Sequence, residues 1–516
     1  MAGGTDTERR GIHHNGTVES GLAVDEIVLA VGALLTLGVL GAGIASRFQL
    51  PGIVVSLGLG MALGSDGLGW VDIGVNDLDW VQGLSVMALV LILFDGGLST
   101  STRAVRDLAA PAALLATAGV GVTMAVVACG ARLLLAVEWE TALLLGAVVS
   151  STDAAAVFSV LRRAPVPARL RNLLEVESGF NDPAAAMLTI GVLETWRASP
   201  TAGNWVLFGI THLAVGALAG VLVGLVAIAV LNRVRLDSAP RLALLALAFG
   251  GLSYGLATLF HGSGLLACYL AGLMIGNGVL RHRRIIQSFH AALGSGAELA
   301  LFLVLGLFVF PSQIGSQFFE ALAVAAVLVF VARPIAVALC LTWFGFSWRQ
   351  QTLAAWAGLR GAVPIVLATF PLTAGHPDGQ VIFDQVFFVV LISAALQGVT
   401  VGTVAKALRL PAEQPAWSAV VESIPLDRAG ELVEVELPAD AVIVGKSLRQ
   451  VPMPSRARIA AVVRDTRVVV PDGDTVLAAD DLLLVIVPDG AGADRALTGW
   501  VDGHARGAGP SAGTSR

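Results

Sequence analysis

From about residue 25 to residue 408 the chain is a succession of thirteen apolar runs joined by short polar loops. Each run is long enough, or nearly so, to cross ~30 Å of hydrocarbon. The loops sort by charge. Every second loop holds arginine: Arg47; Arg103 and Arg106; Arg162, Arg163, Arg169 and Arg171; Arg233, Arg235 and Arg241; Arg281, Arg283 and Arg284; Arg349. The intervening loops hold acids instead, such as Asp66, Asp72, Asp77 and Asp79, then Glu138 and Glu140, Glu194, Glu320, Asp378 and Asp384, with Arg197 their one basic residue and Arg132 nearby at a helix end. A miscounted run would scramble that alternation. The excess of arginine on one side predicts a multi-pass protein of a bacterial cytoplasmic membrane, with the N-terminus outside and the C-terminus in the cytoplasm. Composition agrees: charged residues are 14% of the chain, against about 25% in soluble domains.

The runs divide the chain into segments. Residues 1–23 read as a disordered extracellular tail and residues 24–408 as the membrane domain. Residues 409–424, with "PAEQPAWSAV", read as a linker. In residues 425–492, "ELVEVELP", "RIAAVVRD", "TRVVVP" and "LLLVIVPD" alternate as strands, and "VGKSLRQV" has room for one or two helical turns. That segment is expected to be a small cytoplasmic α/β domain, followed by a disordered tail over 493–516. Cys129, Cys268 and Cys340 lie in apolar runs without a pairing pattern and read as small core residues.

Charge inside the runs is the informative exception. An ionised side chain at the centre of a membrane helix costs ~2.5–3.5 kcal/mol on insertion scales, and such groups face a cavity or a partner. Asp153 lies in the fifth run, within "SSTDAAAV". Glu177 and Asp182 follow in the sixth, within "LEVESGFNDPAAAML", and Arg333 and Arg360 occur in the eleventh and twelfth. Asp95, in "LILFDGGL", sits near the cytoplasmic end of the third and reads as either a near-interface group or a ligand.

On a helix Ser178 and Asp182 share one face, as do Glu177 and Asn181. Glu177 and Asp182, five apart, point roughly 140° from each other. They cannot share one ion, so Asp182 is expected to face a site and Glu177 to find an arginine. Unwinding at "SSTD" would free backbone carbonyls beside Thr152 and Asp153, and "AGLRGAVPI" offers a matching break around Arg360. An all-oxygen ligand set without a His or Cys cluster suits a hard alkali cation. The bland alternatives are a paired, non-titrating Glu177, a Thr152 hydroxyl bonded back to its own helix, and an Arg333 or Arg360 that only anchors a kink.

These residues carry a resemblance. "SSTDAAAVF" followed by "LEVESGFNDPAAAMLT" resembles the NhaP-type monovalent cation/proton antiporters of the first cation/proton antiporter family. "LILFDGGL", "GLLACYLAGLMIGN", "FLVLGLFV", "VARPIAV" and "GLRGAVP" are similar to its other signature stretches, in the same order. The tail resembles the RCK-C (TrkA-C) subdomain of potassium-conductance regulators, a fusion similar to the potassium/proton branch.

The resemblance implies an all-α membrane domain of about thirteen transmembrane helices, with crossed unwound helices and inverted repeats, plus an RCK-C domain. It implies a cation and proton site of Asp182, Ser178, Asp153 and the Thr152 carbonyl, with Glu177 tied to Arg333, Asn181 supporting the crossing, and Arg360 and Asp95 nearby. It also implies electroneutral exchange of K+, with Na+ as the alternative, for H+ by a homodimer with an elevator-like movement. No cofactor is expected; the RCK-C domain is expected to be either a sensor, with a nucleotide as the ligand the resemblance suggests, or an assembly module without a ligand. Phe180 departs from the longer polar stretch usual before the Asn-Asp pair. A cation channel using the same site, or a non-transporting sensor, is the rival reading. Nothing suggests an enzyme or a nucleic-acid partner.

Overall fold

The structure is a computed structural model. It describes residues 32–33, 35–44, 52–64, 66–69, 78–100, 102–153, 166–198, 202–234, 239–278, 283–309, 314–410, 420–426, 430–437, 441–451, 457–464 and 467–487, together with Leu29, Leu280, Met453 and Trp500. The expected N-terminal tail and the second half of the fifth apolar run, with Arg162 and Arg163, lie outside the described residues, as does the expected C-terminal tail except for Trp500, which is buried in the core of the sheet domain rather than disordered. Contacts divide the chain into two units, Met1–Pro411 and Ala412–Arg516.

The first unit is helical. Its helices are α1 (Leu35–Ile44), α2 (Gly52–Leu63), α3 (Leu78–Ser99), α4 (Thr102–Leu114), α5 (Val120–Leu135), α6 (Trp139–Val148), α7 (Ala168–Ala198) and α8 (Ala202–Arg233). They continue with α9 (Ala239–Leu259), α10 (Gly264–Asn277), α11 (Arg283–Leu307), α12 (Ile314–Val327), α13 (Arg333–Leu341), α14 (Trp348–Trp356), α15 (Ala362–Thr373) and α16 (Gly379–Ala407). Single π turns, Leu115–Gly119 and Leu328–Ala332, join α4 to α5 and α12 to α13 into longer rods.

The lengths alone do not confirm thirteen crossings: seven described helices are long and apolar enough to cross a membrane, and five shorter apolar ones stand beside them. Two of the short ones, α6 and α15, adjoin breaks in the fifth and twelfth runs, where α6 stops at Val148 and α14 stops at Trp356. Ser151–Asp153 and Gly358–Gly361 are non-helical instead. Pro364 lies in the first turn of α15, where its missing N–H has no helical acceptor to lose. Ser150 turns its hydroxyl back to the Ala147 carbonyl at 2.6 Å, which satisfies a carbonyl at the end of α6.

Two packing features position these breaks. α3 and α10 touch backbone to backbone: a Cβ at Gly97 would collide with the Tyr269 carbonyl, one at Gly272 with that of Phe94, and one at Gly276 with that of Leu98. Small residues allow this close approach between helices. A large apolar core, in which Leu144, Leu145, Leu173, Ile365, Phe383 and Phe387 are fully buried, binds much of the unit, and a smaller one gathers Phe94, Leu98, Ala227 and Ile275.

The second unit is a five-stranded antiparallel sheet in the order β1-β2-β5-β3-β4. The strands are β1 (Val420–Leu426), β2 (Gly430–Glu436), β3 (Arg458–Arg464), β4 (Arg467–Val469) and β5 (Leu482–Val487). Alternation builds its core: Val433 and Val435 from β2 and Leu483 and Val485 from β5 are buried, with Val462 and Leu477. Strand β1 begins inside the stretch read as a linker. It carries Pro425 and lies at the sheet edge, the place where a strand tolerates proline. The expected helical content is small among the described residues: Leu448–Gln450 forms a 3-10 turn. Asp481, fully buried, receives both Nε and Nη2 of Arg464 at 2.7 Å and the Ala478 N–H at 2.7 Å.

Candidate functional site

The two helix breaks face each other. The Asp153 N–H donates to the Leu359 carbonyl at 2.9 Å, so the unwound segment after α6 is hydrogen-bonded to the one before α15. Each break leaves a half-helix end inside the unit, with a partial negative charge at the last carbonyls and a partial positive one at the first N–H groups. Both ends meet an opposite charge. Arg360, which is 1% exposed, donates from Nη1 to the Ser151 carbonyl at 2.6 Å and the Ser150 carbonyl at 3.2 Å, at the end of α6. The Asp153 carboxylate occupies the space where a Cβ of Gly361 would stand, at the start of α15. Arg360 is itself held by its N–H to Ser393 Oγ at 3.2 Å; Ser393 donates to Gln397 Oε1 at 2.5 Å.

Helix α7 runs past this crossing and is fastened to it by hydrogen bonds. Asn181 Nδ2 donates to Thr152 Oγ1 at 2.6 Å, and Thr152 N–H donates to Asn181 Oδ1 at 3.3 Å. Ser178 Oγ lies 3.0 Å from Thr152 Oγ1. Thr152 therefore does not bond back to its own helix. Glu177, on the same face of α7 as Asn181, accepts a two-pronged contact from Arg333, 2.6 Å from Nη1 to Oε1 and 2.8 Å from Nη2 to Oε2. Both groups are buried, and Gly358 leaves room for that guanidinium beside the second break. Such a fork satisfies both charges at once and leaves Glu177 no free capacity for an ion.

Asp182 differs in kind. It is 4% exposed, and its Oδ1 is buried without a hydrogen bond. The charges acting on it are Asp153, Arg360 and Glu177. A buried carboxylate oxygen without a donor is an unstable arrangement unless a proton or a cation completes it.

The structure thus gathers Thr152, Asp153, Glu177, Ser178, Asn181, Asp182, Arg333 and Arg360 around one crossing. Asp95 stands elsewhere in its contacts: it packs against Gly294 of α11, and its Oδ1 is buried without a hydrogen bond. One further carboxylate belongs to the picture. Glu298, one helical turn beyond Gly294 on the same face of α11, acts electrostatically on Asp153. The signal that marks it was present in "GSGAELALFL", because it too is a carboxylate inside an apolar run. Among the described residues no group of three or more His, Cys, Asp or Glu side chains converges as a metal cluster. The available donors are carboxylate, hydroxyl and carbonyl oxygens.

Comparison with known proteins agrees in both units. The family described as sodium/hydrogen exchanger, transmembrane matches residues 32–407, and the TrkA-C domain matches residues 432–494. The chain is 38% identical over 484 residues to the K(+)/H(+) antiporter NhaP of Alkalimonas amylolytica, covering 90% of this chain and 83% of that protein. It is 36% identical over 464 residues to the K(+)/H(+) antiporter NhaP2 of Shewanella sp. (strain MR-4), covering 88% and 80%. The solved structure of the sodium proton antiporter MjNhaP1 from Methanocaldococcus jannaschii at pH 8 has the same fold, with a TM-score of 0.66 at 24% identity over 74% of this chain and 99% of that one. The match extends along most of the length of both curated relatives, and the chain belongs to the sodium/hydrogen exchanger family of cation/proton antiporters, with a TrkA-C domain at its C-terminal end.

Proposed function

We propose that this protein exchanges K+ for H+ across the cytoplasmic membrane, with both ions competing for Asp182. The observation that carries the reading is the unsatisfied Oδ1 of a buried Asp182 beside a second carboxylate, Asp153, at the crossing of two broken helices. A carboxylate so placed holds a proton or a monovalent cation, and the two exclude each other. Loaded with either, the site is electrically compensated and can move through the low-dielectric part of the protein. Empty, it carries an uncompensated charge, which blocks uncoupled leak. That asymmetry converts two leaks into an exchange.

Further parts of the reading follow the resemblance. Ser178, Asp153 and the Thr152 carbonyl complete the cation's oxygen shell. Asn181 adds no charge beside Asp182, so one proton leaves for each cation that enters and exchange is electroneutral. The protein works as a homodimer by alternating access, with its N-terminus outside and the TrkA-C domain in the cytoplasm as a sensor of a nucleotide. Potassium is favoured over sodium by the two curated relatives above, each named for K(+)/H(+) antiport.

The test uses inverted membrane vesicles from an antiporter-deficient host, with an imposed pH gradient challenged by K+ and then Na+. K+ is expected to dissipate the gradient in the wild type and not in Asp182→Asn. Dissipation by Na+ alone would keep the site and change the ion. Full exchange by Asp182→Asn would refute the competition at Asp182.

A further inference from the structure

We propose that Tyr269 is a positioning residue for the cation site: a fixed post on α10 that holds α7 in the conformation seen here and must part from it when α7 shifts. The inference rests on the exchange reading given above. It starts from Gly179, which lies between Ser178 and Asp182 on α7. A Cβ at Gly179 would collide with the Cζ edge of the Tyr269 ring and come 2.7 Å from its hydroxyl, so the phenol lies directly on the α7 backbone beside the site. The ring also meets Phe180 edge to face, with centroids 5.4 Å apart.

The hydroxyl extends the contact. Tyr269 donates to Thr100 Oγ1 at 3.3 Å, at the end of α3, and Thr100 Oγ1 in turn lies 3.4 Å from Glu175 Oε1 on α7. Thr100 itself is anchored by its hydroxyl to the Gly96 carbonyl at 2.7 Å and by its carbonyl to Asn277 Nδ2 at 2.8 Å. Tyr269 therefore bears on α7 through its ring, at Gly179 and Phe180, while its hydroxyl, tied to Thr100 of α3, keeps the ring in place. Glu175 and Gly179 are four apart and lie on one face of the helix.

The post cannot follow α7. Tyr269 is 2% exposed, and its own carbonyl is packed against Gly97 in the backbone-to-backbone contact of α3 with α10. Helix α7, by contrast, carries the site, because Ser178 and Asn181 tie it to Thr152. Relative movement of the site past α3 and α10 has to break the Tyr269 contacts. A contact made in one state and lost in another shifts the population between them.

The experiment measures cation-driven proton flux by the full-length protein from each face, in right-side-out and inverted vesicles. Tyr269→Phe keeps the ring and removes the hydroxyl bridge. Loss of one such hydrogen bond is expected to change the ratio of the cation KM values on the two faces about five-fold. Gly179→Ala should slow exchange by driving a methyl into the ring, and Gly179→Ala combined with Tyr269→Ala should recover part of the loss. A Tyr269→Phe protein with the wild-type KM ratio would overturn the proposal. So would a Gly179→Ala defect that removal of the ring leaves unchanged. Asp182→Asn run alongside separates the two ideas: retained exchange there refutes the site, whereas lost exchange there with an unaltered Tyr269→Phe refutes only the post.

Discussion

At the scale of single residues, the site separates carboxylates by what compensates them. Glu177 has the Arg333 fork and Asp153 stands at the start of α15, whereas Asp182 keeps an oxygen without a donor. Burial alone did not make that distinction; the spacing along α7 did. A separation of five positions puts Glu177 and Asp182 on different faces, and that much was readable before any coordinates. Glu298 was not read, although it meets the same criterion of charge in an apolar run. No nearby motif drew attention to it, and its link to Asp153 spans two distant helices. In its ionised form, populated at alkaline pH, Glu298 adds its charge to that of Asp153, so Glu298→Gln is expected to weaken the site's attraction for cations when exchange is assayed at alkaline pH. The apparent KM for K+ should rise roughly three- to ten-fold, the size of one partly screened interaction of about 1 kcal/mol. Maximal exchange should stay near the wild-type rate. Concentration series of K+ in vesicles measure this, and an unchanged KM would show that Glu298 does not act on the transported ion.

At the scale of elements, the breaks after α6 and before α15 matter more than any intact helix. Their positions were legible because Ser, Thr, Gly and Pro cluster there, and these residues either compete with helical hydrogen bonds or cannot make them. The π turns at Leu115–Gly119 and Leu328–Ala332 were not legible, since ordinary apolar residues compose them and only the surrounding packing sets the extra residue. Strand β1 was missed for a related reason: "VVESIPL" contains a proline and lacks clean alternation, and its pairing with β2 is what makes it a strand. The crossing also explains Gly361. Its φ of −124° is open to any residue, so conformation does not require glycine. Space does, because the Asp153 carboxylate fills the Cβ position. Gly361→Ala should push Asp153 aside and lower exchange on the order of ten- to a hundred-fold, as misplacement of a reacting group by about 1 Å does. The protein should still reach the membrane in normal amount, because the methyl disturbs one side chain rather than the core. Exchange normalised to protein level in vesicles decides it, and a normal rate would mean that Asp153 has room to move.

At the scale of the whole molecule, each of the two units is built on apolar packing of its own. The membrane unit holds a large core and a smaller one around Phe94, Leu98 and Ile275, and the second unit holds the sheet core around Val433, Val435, Leu483 and Val485. The sheet core is built from residues of the second unit alone, so damage to the tail should leave the ion site standing. Asp481 offers a clean way to impose that damage. Burial alone would raise its carboxyl, but the Arg464 fork and the Ala478 N–H outweigh this and hold it below the usual carboxylate value. A group depressed in the folded state stabilises it above the unfolded value, about 4, and loses that contribution as pH falls through the folded value. At neutral pH the contribution is therefore fully present. Asp481→Asn should remove about 1–2 kcal/mol, since the Arg464 side chain is 40% exposed and its share is screened. Protease nicking of the tail in the full-length protein should then begin at milder heating at pH 7. The difference from wild type should shrink as the pH is lowered below about 4, where the native carboxylate too becomes protonated. Exchange in vesicles, measured on the same preparation, should continue without the tail's support. A variant that lost exchange together with tail folding would show that the two cores depend on each other.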